Sequence, residues 1–250
     1  MQTRLTPKKS KLTKRRKSGV ALLICVVLVP LVVLLLSMVG QRKSADDYLK
    51  EINIYLVVVG ENLDENSAIK MGKRVEEFGG AGVLYSQEND NQYCVVLFAY
   101  KNLNDAEKIL ESSKTIFPDC YIIAKNYREI SNSIQSKIKN SGNISYALNL
   151  IWSEADKTVN TLYLYEKGEI SYIGVHRYAV ELLWKLQEIN NKFAIDGELE
   201  EEVMTSILVI ENEVRLFIDK TFELENAIKY FKKVCVTFAL EQINLRRVLN

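Results

Sequence analysis

One histidine, His176, serves all 250 residues. A histidine-dependent nucleophile also needs a positioned Ser or Cys and an orienting carboxylate. No motif supplies them around the segment IGVHRYAVELLW, so His176 reads as a surface or helix-cap residue. Cysteine is sparse too. Cys25 lies in an apolar run, which leaves Cys94, Cys120 and Cys235, an odd number with no CxxC pair and no Cys/His ligand spacing. That excludes a disulfide scaffold and a zinc site and makes the three thiols small buried hydrophobes. The glycine cluster Gly79-Gly80-Ala81-Gly82 follows a helical segment rather than a strand, and no Gly-Lys-Ser/Thr comes after it. It is a helix C-terminus and turn, not a phosphate loop. There is no internal repeat and no low-complexity stretch. Glu154 with Asp156, and Glu198 with Glu200, Glu201 and Glu202, are the acidic clusters that a paired-carboxylate hydrolase could use. The first reads as a solvated helix face, and the second opens a helix where anions complement the dipole. The expectation is no catalytic residue, no metal and no cofactor.

Charge of one sign is concentrated at the start. Residues 1–17 hold eight cations and no anion, so residues 18–250 carry a net −7 although the whole chain is +1. A mildly acidic body is a poor match for nucleic acid. Between tail and body runs VALLICVVLVPLVVLLLSMV, Val20 to Val39, without a charge. Twenty helical residues reach roughly 30 Å, the thickness of a bilayer's hydrocarbon core. The run exceeds a usual signal-peptide core and lacks an A-x-A-like cleavage site, so it reads as an uncleaved anchor. The cations predict a cytoplasmic N-terminus and an extracytoplasmic remainder, in a single-pass protein of the cell membrane.

The next block alternates strand and helix signals. Ile54 to Val59 (IYLVVV) is a β-branched run ended by Gly60; Asp64 caps a helix with an apolar face of Ala68, Met71, Val75 and Phe78. Gly82 to Ser86 and Tyr93 to Tyr100 (YCVVLFAY) are strands around a polar turn, Gln87 to Gln92. Asn104 with Glu107 makes a capping box for a helix that buries Ala106, Ile109 and Leu110, and Cys120 to Ala124 is the last strand. The order β-α-β-β-α-β places the first and third strands at the sheet centre with both helices on one face. After Asn126 the periods are helical. Apolar stripes mark a short helix (Ile130, Ile134, Ile138) and four long ones, the last marked from Leu224 to Phe238, which read as an antiparallel bundle. The expected class is α+β. Its parts are a basic tail (1–17), a transmembrane helix (18–40), a linker (41–52), a ferredoxin- or RNP-like domain (53–126) and an all-α bundle (127–250).

The β-α-β-β-α-β block resembles a SPOR domain, the sporulation-related repeat of bacterial envelope proteins. The residues that carry the likeness are YLVVVG (Tyr55 to Gly60), Ala68, FGGAGVLY (Phe78 to Tyr85), YCVVLFAY with Asp105-Ala106, and FPDCYII (Phe117 to Ile123). It covers about a third of the chain. The resemblance implies a non-enzymatic protein of cell division or sporulation that binds peptidoglycan glycan strands through the sheet's open face. Leu56, Val58, Tyr85, Val96, Phe98 and Tyr121 are the candidate binding residues on that face. Two of them depart from the family: Val58 stands where a glutamine is frequent, and Phe98 where a glycine is usual. An apolar face of that size is seldom left bare, so either the helical region packs on it or a protein partner does; the alternative function is an assembly or scaffold protein whose sheet face and bundle bind protein partners. An RNA module of the same strand order would carry a basic-Gly-aromatic third strand, which Tyr93 to Tyr100 lacks.

Overall fold

The computed structural model describes residues 47–86, 92–193, 197–220 and 224–250. The basic tail, the Val20 to Val39 run and most of the linker lie outside the described residues, as does most of the turn expected over Gln87 to Gln92. No helix among the described residues is long and apolar enough to cross a membrane.

Four strands, β1 (Ile52–Leu63), β2 (Val83–Ser86), β3 (Tyr93–Tyr100) and β4 (Tyr121–Tyr127), form one antiparallel sheet in the order β2-β3-β1-β4. The two most continuously apolar runs, IYLVVV and YCVVLFAY, hold the centre, as expected of strands buried on both faces. Helix α1 (Glu65–Glu77) starts at Asp64, whose carboxylate accepts from the Ser67 amide at 3.0 Å. The helix lies so close to the chain entering β2 that no Cβ fits between them. One built on Gly82, which sits at φ +68°, would stand 2.5 Å from the Gly72 carbonyl oxygen. Helix α2 (Leu103–Ser113) is capped by Asn102, whose side chain accepts from the Asn104 amide at 2.9 Å. The expected box at Asn104 and Glu107 is corrected: the helix begins one residue before Asn104. Both helices pack on one face, where Val59, Val95 and Leu97 meet Ala68, Val75, Phe117 and Cys120. Phe78, expected in that apolar face, is 54% exposed and sets its ring edge-on to Phe117.

The remaining chain is helical: α3 (Asn132–Asn140), α4 (Gly142–Glu166), α5 (Tyr172–Lys192), α6 (Glu198–Asp219) and α7 (Leu224–Leu249). The last runs eleven residues past Phe238, the end of its recognised apolar stripe. α6 packs against α5 and α7, and α4 against α5, α6 and α7. The second sheet face, with Leu56, Val58 and Val96, belongs to the same hydrophobic cluster as Ile151, Leu182, Ile207, Phe217 and Phe231 of these helices. Residues on either side of Asn126 thus share one core, and Asp46–Asn250 is one compact unit.

Two charged side chains are sealed inside. Arg246 of α7 is fully buried and donates to the carbonyl oxygens of Tyr48 and Lys50, at 2.9 Å each, and of Arg128. It knots the last helix to the chain as it enters β1 and leaves β4, where the Ile130 amide also donates to Leu49. Glu154 is 1% exposed, which corrects the expectation of a solvated face. Lys157 and Lys185 donate to its Oε1 at 2.8 and 2.9 Å and the Tyr178 hydroxyl to its Oε2 at 3.1 Å. Burial pushes its pKa up, but the two ammonium groups outweigh burial and leave it below the ordinary value.

Candidate functional site

The six residues expected on an open sheet face do not form one. Leu56, Val58 and Val96 have no exposed surface and Tyr85 retains 6%. All four lie in the cluster that the helices complete. α7 covers β2 and β3, and its Arg247 donates to the Tyr85 hydroxyl at 2.9 Å. Tyr121 packs half-buried on the same cluster, beside Cys94. Burial, with the neighbouring Cys94, pushes its hydroxyl up to about 12. Phe98 is not on that face at all. The register of β1 against β3 slips between Val57 and Val58, so Val57 pairs with Phe98 while Val58 pairs with Val96, and Leu97 is the extra residue. A bulge of this kind breaks the two-residue alternation. It turns Phe98 toward the α1/α2 side, packed against Leu97 and Val95's cluster, with the Lys232 ammonium 5.4 Å from its ring centre. The open-face reading is therefore corrected: an apolar face of that size is covered, and its cover is the chain's own bundle.

The same alternation carries Cys94 into the bundle-facing cluster and Cys120 into the α1/α2 cluster, on opposite sides of the sheet, and both thiols are free. Burial pushes Cys94 up to about 11 and Cys235 upward as well, so neither is held as a thiolate.

A different concavity remains open. A cavity of about 760 Å³ lies where the end of β3 and the first turns of α2 face α4 and α7. Its inner wall is apolar, made by Ile54, Ala99, Ala155 and Ala239. Tyr100 lines one side; on the α4 side Val159 and Tyr163, 48% and 51% exposed, extend the apolar surface outward. The charged lining is internally neutralised. Lys101 meets Asp156 at 2.5 Å across the cleft, Lys108 meets Asp105 at 3.2 Å, and Lys232 reaches Glu166 at 3.1 Å. Burial, helped by Glu166 and Asp105, pushes the Tyr100 hydroxyl upward and keeps it protonated.

Gln242 completes the inner wall. It is 1% exposed, and its Nε2 has no hydrogen-bond partner among the described residues. A buried amide donor left unpaired costs about 1–3 kcal/mol, so this position has unused binding capacity. Sequence reasoning missed Gln242, Tyr100 and Tyr163. The signal for Gln242 lay in α7, where the stripe through Phe231, Val234 and Phe238 continues at the same step to two polar residues, Gln242 and Arg246. Neither a family model, nor a curated protein, nor a solved structure matches this chain.

Proposed function

We propose that this is a non-enzymatic assembly protein of the bacterial cell envelope. Val20 to Val39 anchor it in the cell membrane with residues 1–17 in the cytoplasm. Outside, a SPOR-like sheet and an antiparallel bundle act together as a platform for protein partners. The observation that supports this reading over glycan binding is the burial of Leu56, Val58, Tyr85 and Val96 under the bundle. A glycan strand needs convergent polar groups on an accessible surface, and here α7 would have to leave first. What the platform offers outward is aromatic and apolar: Trp184 and Ile173 of α5 are 68% and 69% exposed. Tryptophan is enriched among the residues that dominate protein interfaces.

The test is in-cell crosslinking of the tagged full chain, followed by purification under denaturing conditions and identification of what is attached. The parallel arm incubates the purified chain with sacculi, with and without amidase pretreatment. Capture of a defined set of envelope proteins, reduced by Trp184→Ala, with no retention on either kind of sacculus, is the expected result. Retention on amidase-treated sacculi without protein capture restores the glycan reading. Protease added to intact protoplasts is expected to remove the part after Gly40; survival of that part until lysis overturns the topology.

A further inference from the structure

We infer that the cleft between α2 and α4 is a binding site for an uncharged, extended peptide segment with one large apolar or aromatic side chain. Three features select that chemistry. First, the charged side chains around the rim are already spent on one another, Lys101 on Asp156, Lys108 on Asp105 and Glu166 on Lys232. A charged ligand would lose its hydration there with no free counter-charge among the described lining residues in return. Second, the inner wall of Ile54, Ala99, Ala155 and Ala239 is made of small and branched apolar groups in a cavity of about 760 Å³. That volume lies within the ordinary range of ligand cavities, about 300–1,000 Å³, and such a wall favours an inserted hydrocarbon or ring. Third, Gln242 lines the cleft with a buried side chain whose Nε2 donor has no partner among the described residues. Tyr100 adds a hydroxyl held protonated. Both want an acceptor, and a peptide carbonyl supplies one without a charge.

A sugar fits less well. Its hydroxyls need several free acceptors as well as donors; the carboxylates here are engaged and the Asn102 side-chain oxygen already caps α2, which leaves the Asn160 amide as the side-chain amide acceptor at the rim. A peptide needs only a carbonyl at Gln242, an anchor on the apolar wall and contact with Val159 and Tyr163 at the mouth. This rests on the assembly reading and adds to the exposed α5 surface a second contact of stated chemistry: an extended segment of the partner seated in the cleft.

The experiment uses the full chain in mild detergent and an array of blocked hexapeptides, N-acetylated and C-amidated. Their centre is Phe, Leu, Asp or Lys within otherwise uncharged flanks. Tri-N-acetylglucosamine is the carbohydrate arm, and hits are titrated by fluorescence anisotropy. Binding is expected for Phe- and Leu-centred peptides and not for Asp- or Lys-centred ones. Val159→Asp, at an exposed position that leaves the core untouched, is expected to weaken it about tenfold or more, and Gln242→Leu about five- to tenfold, in line with loss of one buried hydrogen bond. No peptide binding, or binding unchanged by both variants, overturns the inference. So does tri-N-acetylglucosamine binding that Val159→Asp abolishes, which would make the cleft a sugar site. Crosslinked partners that persist in Val159→Asp sink the cleft as the docking point and leave the assembly reading standing. Peptides that bind the cleft while no partner is captured in cells sink the assembly reading and leave the site.

Discussion

Arg246→Ala is the most informative single perturbation of this fold. The guanidinium is fully buried and donates to three backbone carbonyls, of Tyr48, Lys50 and Arg128, and among the described residues it meets no carboxylate. Desolvation lowers its pKa, yet an arginine stays protonated in proteins. The carbonyl dipoles are therefore what compensates the buried charge. Hydrogen bonds to a charged group contribute about 1.5–3 kcal/mol each, so three amount to about 4.5–9 kcal/mol, comparable with the several kcal/mol that the cation's desolvation costs. Truncation deletes the bonds, strands three carbonyls in the core and opens a cavity. The expected cost is about 3–5 kcal/mol, as for breaking a buried charged contact. Arg246→Met refills the volume but not the hydrogen bonds and should recover only about 1–2 kcal/mol of that, the part owed to the cavity. Lys50→Ala is the control. It removes an exposed side chain and a surface pair with Asp47 while keeping the carbonyl that Arg246 uses, and should cost under about 1 kcal/mol. Equilibrium urea unfolding of the full chain in a Trp184→Phe background, so that fluorescence reads Trp152 alone, reports on the knot, because Trp152 is buried with its ring 6.3 Å from that of Tyr48. A loss below about 1 kcal/mol for Arg246→Ala at unchanged slope would refute the reasoning.

Two further outcomes are expected. Gly82→Ala places a Cβ 2.5 Å from the Gly72 carbonyl at φ +68° and should cost about 2–4 kcal/mol, whereas Gly79→Ala, at φ +84° with nothing within 4 Å of the added atom, should cost only about 1–2; thermal melts of the pair separate collision from backbone strain. Glu154 and Glu241 should give pH dependences of opposite sign. The Glu154 pKa is depressed in the fold, so its stabilisation is present above its ordinary value of 4.5 and is lost as pH falls below it. Burial raises that of Glu241, so its cost appears as pH rises past 4.5, and Glu241→Gln should raise the urea midpoint at pH 8 and not at pH 4. A Glu154→Gln variant that keeps the wild-type acid slope, or a Glu241→Gln variant that loses stability at pH 8, would contradict the assignment.

Much of the architecture was legible in the residues. Continuously apolar runs bounded by Gly60 and the turn residues marked β1 and β3 as central strands, and Asp64 announced α1 as a side chain able to accept from its first-turn amides. Less legible were features set by partners distant in sequence. The cap of α2 is the exception, a local choice between two neighbouring asparagines that went to Asn102, whose side chain accepts from the Asn104 amide. Glu154 read as solvated because nothing near it in sequence shows that Lys185, thirty-one residues on, would close over it. Phe98 was placed on the wrong side because alternation has no way to register a bulge that depends on pairing with Val57 and Val58.

The sequence by itself determined which segments become strands and helices and, bulges and distant ion pairs aside, which of their faces are apolar, since those follow from local sterics and the spacing of apolar groups along one chain. Only the tertiary structure decided what those faces meet. Whether the surface of Leu56, Val58 and Val96 is offered to a ligand or sealed by the bundle depends on packing between elements far apart in the chain, which local sterics do not set. The amide of Gln242 and the charge of Arg246 acquire their meaning from that choice, one beside an open cleft and the other locked inside the knot.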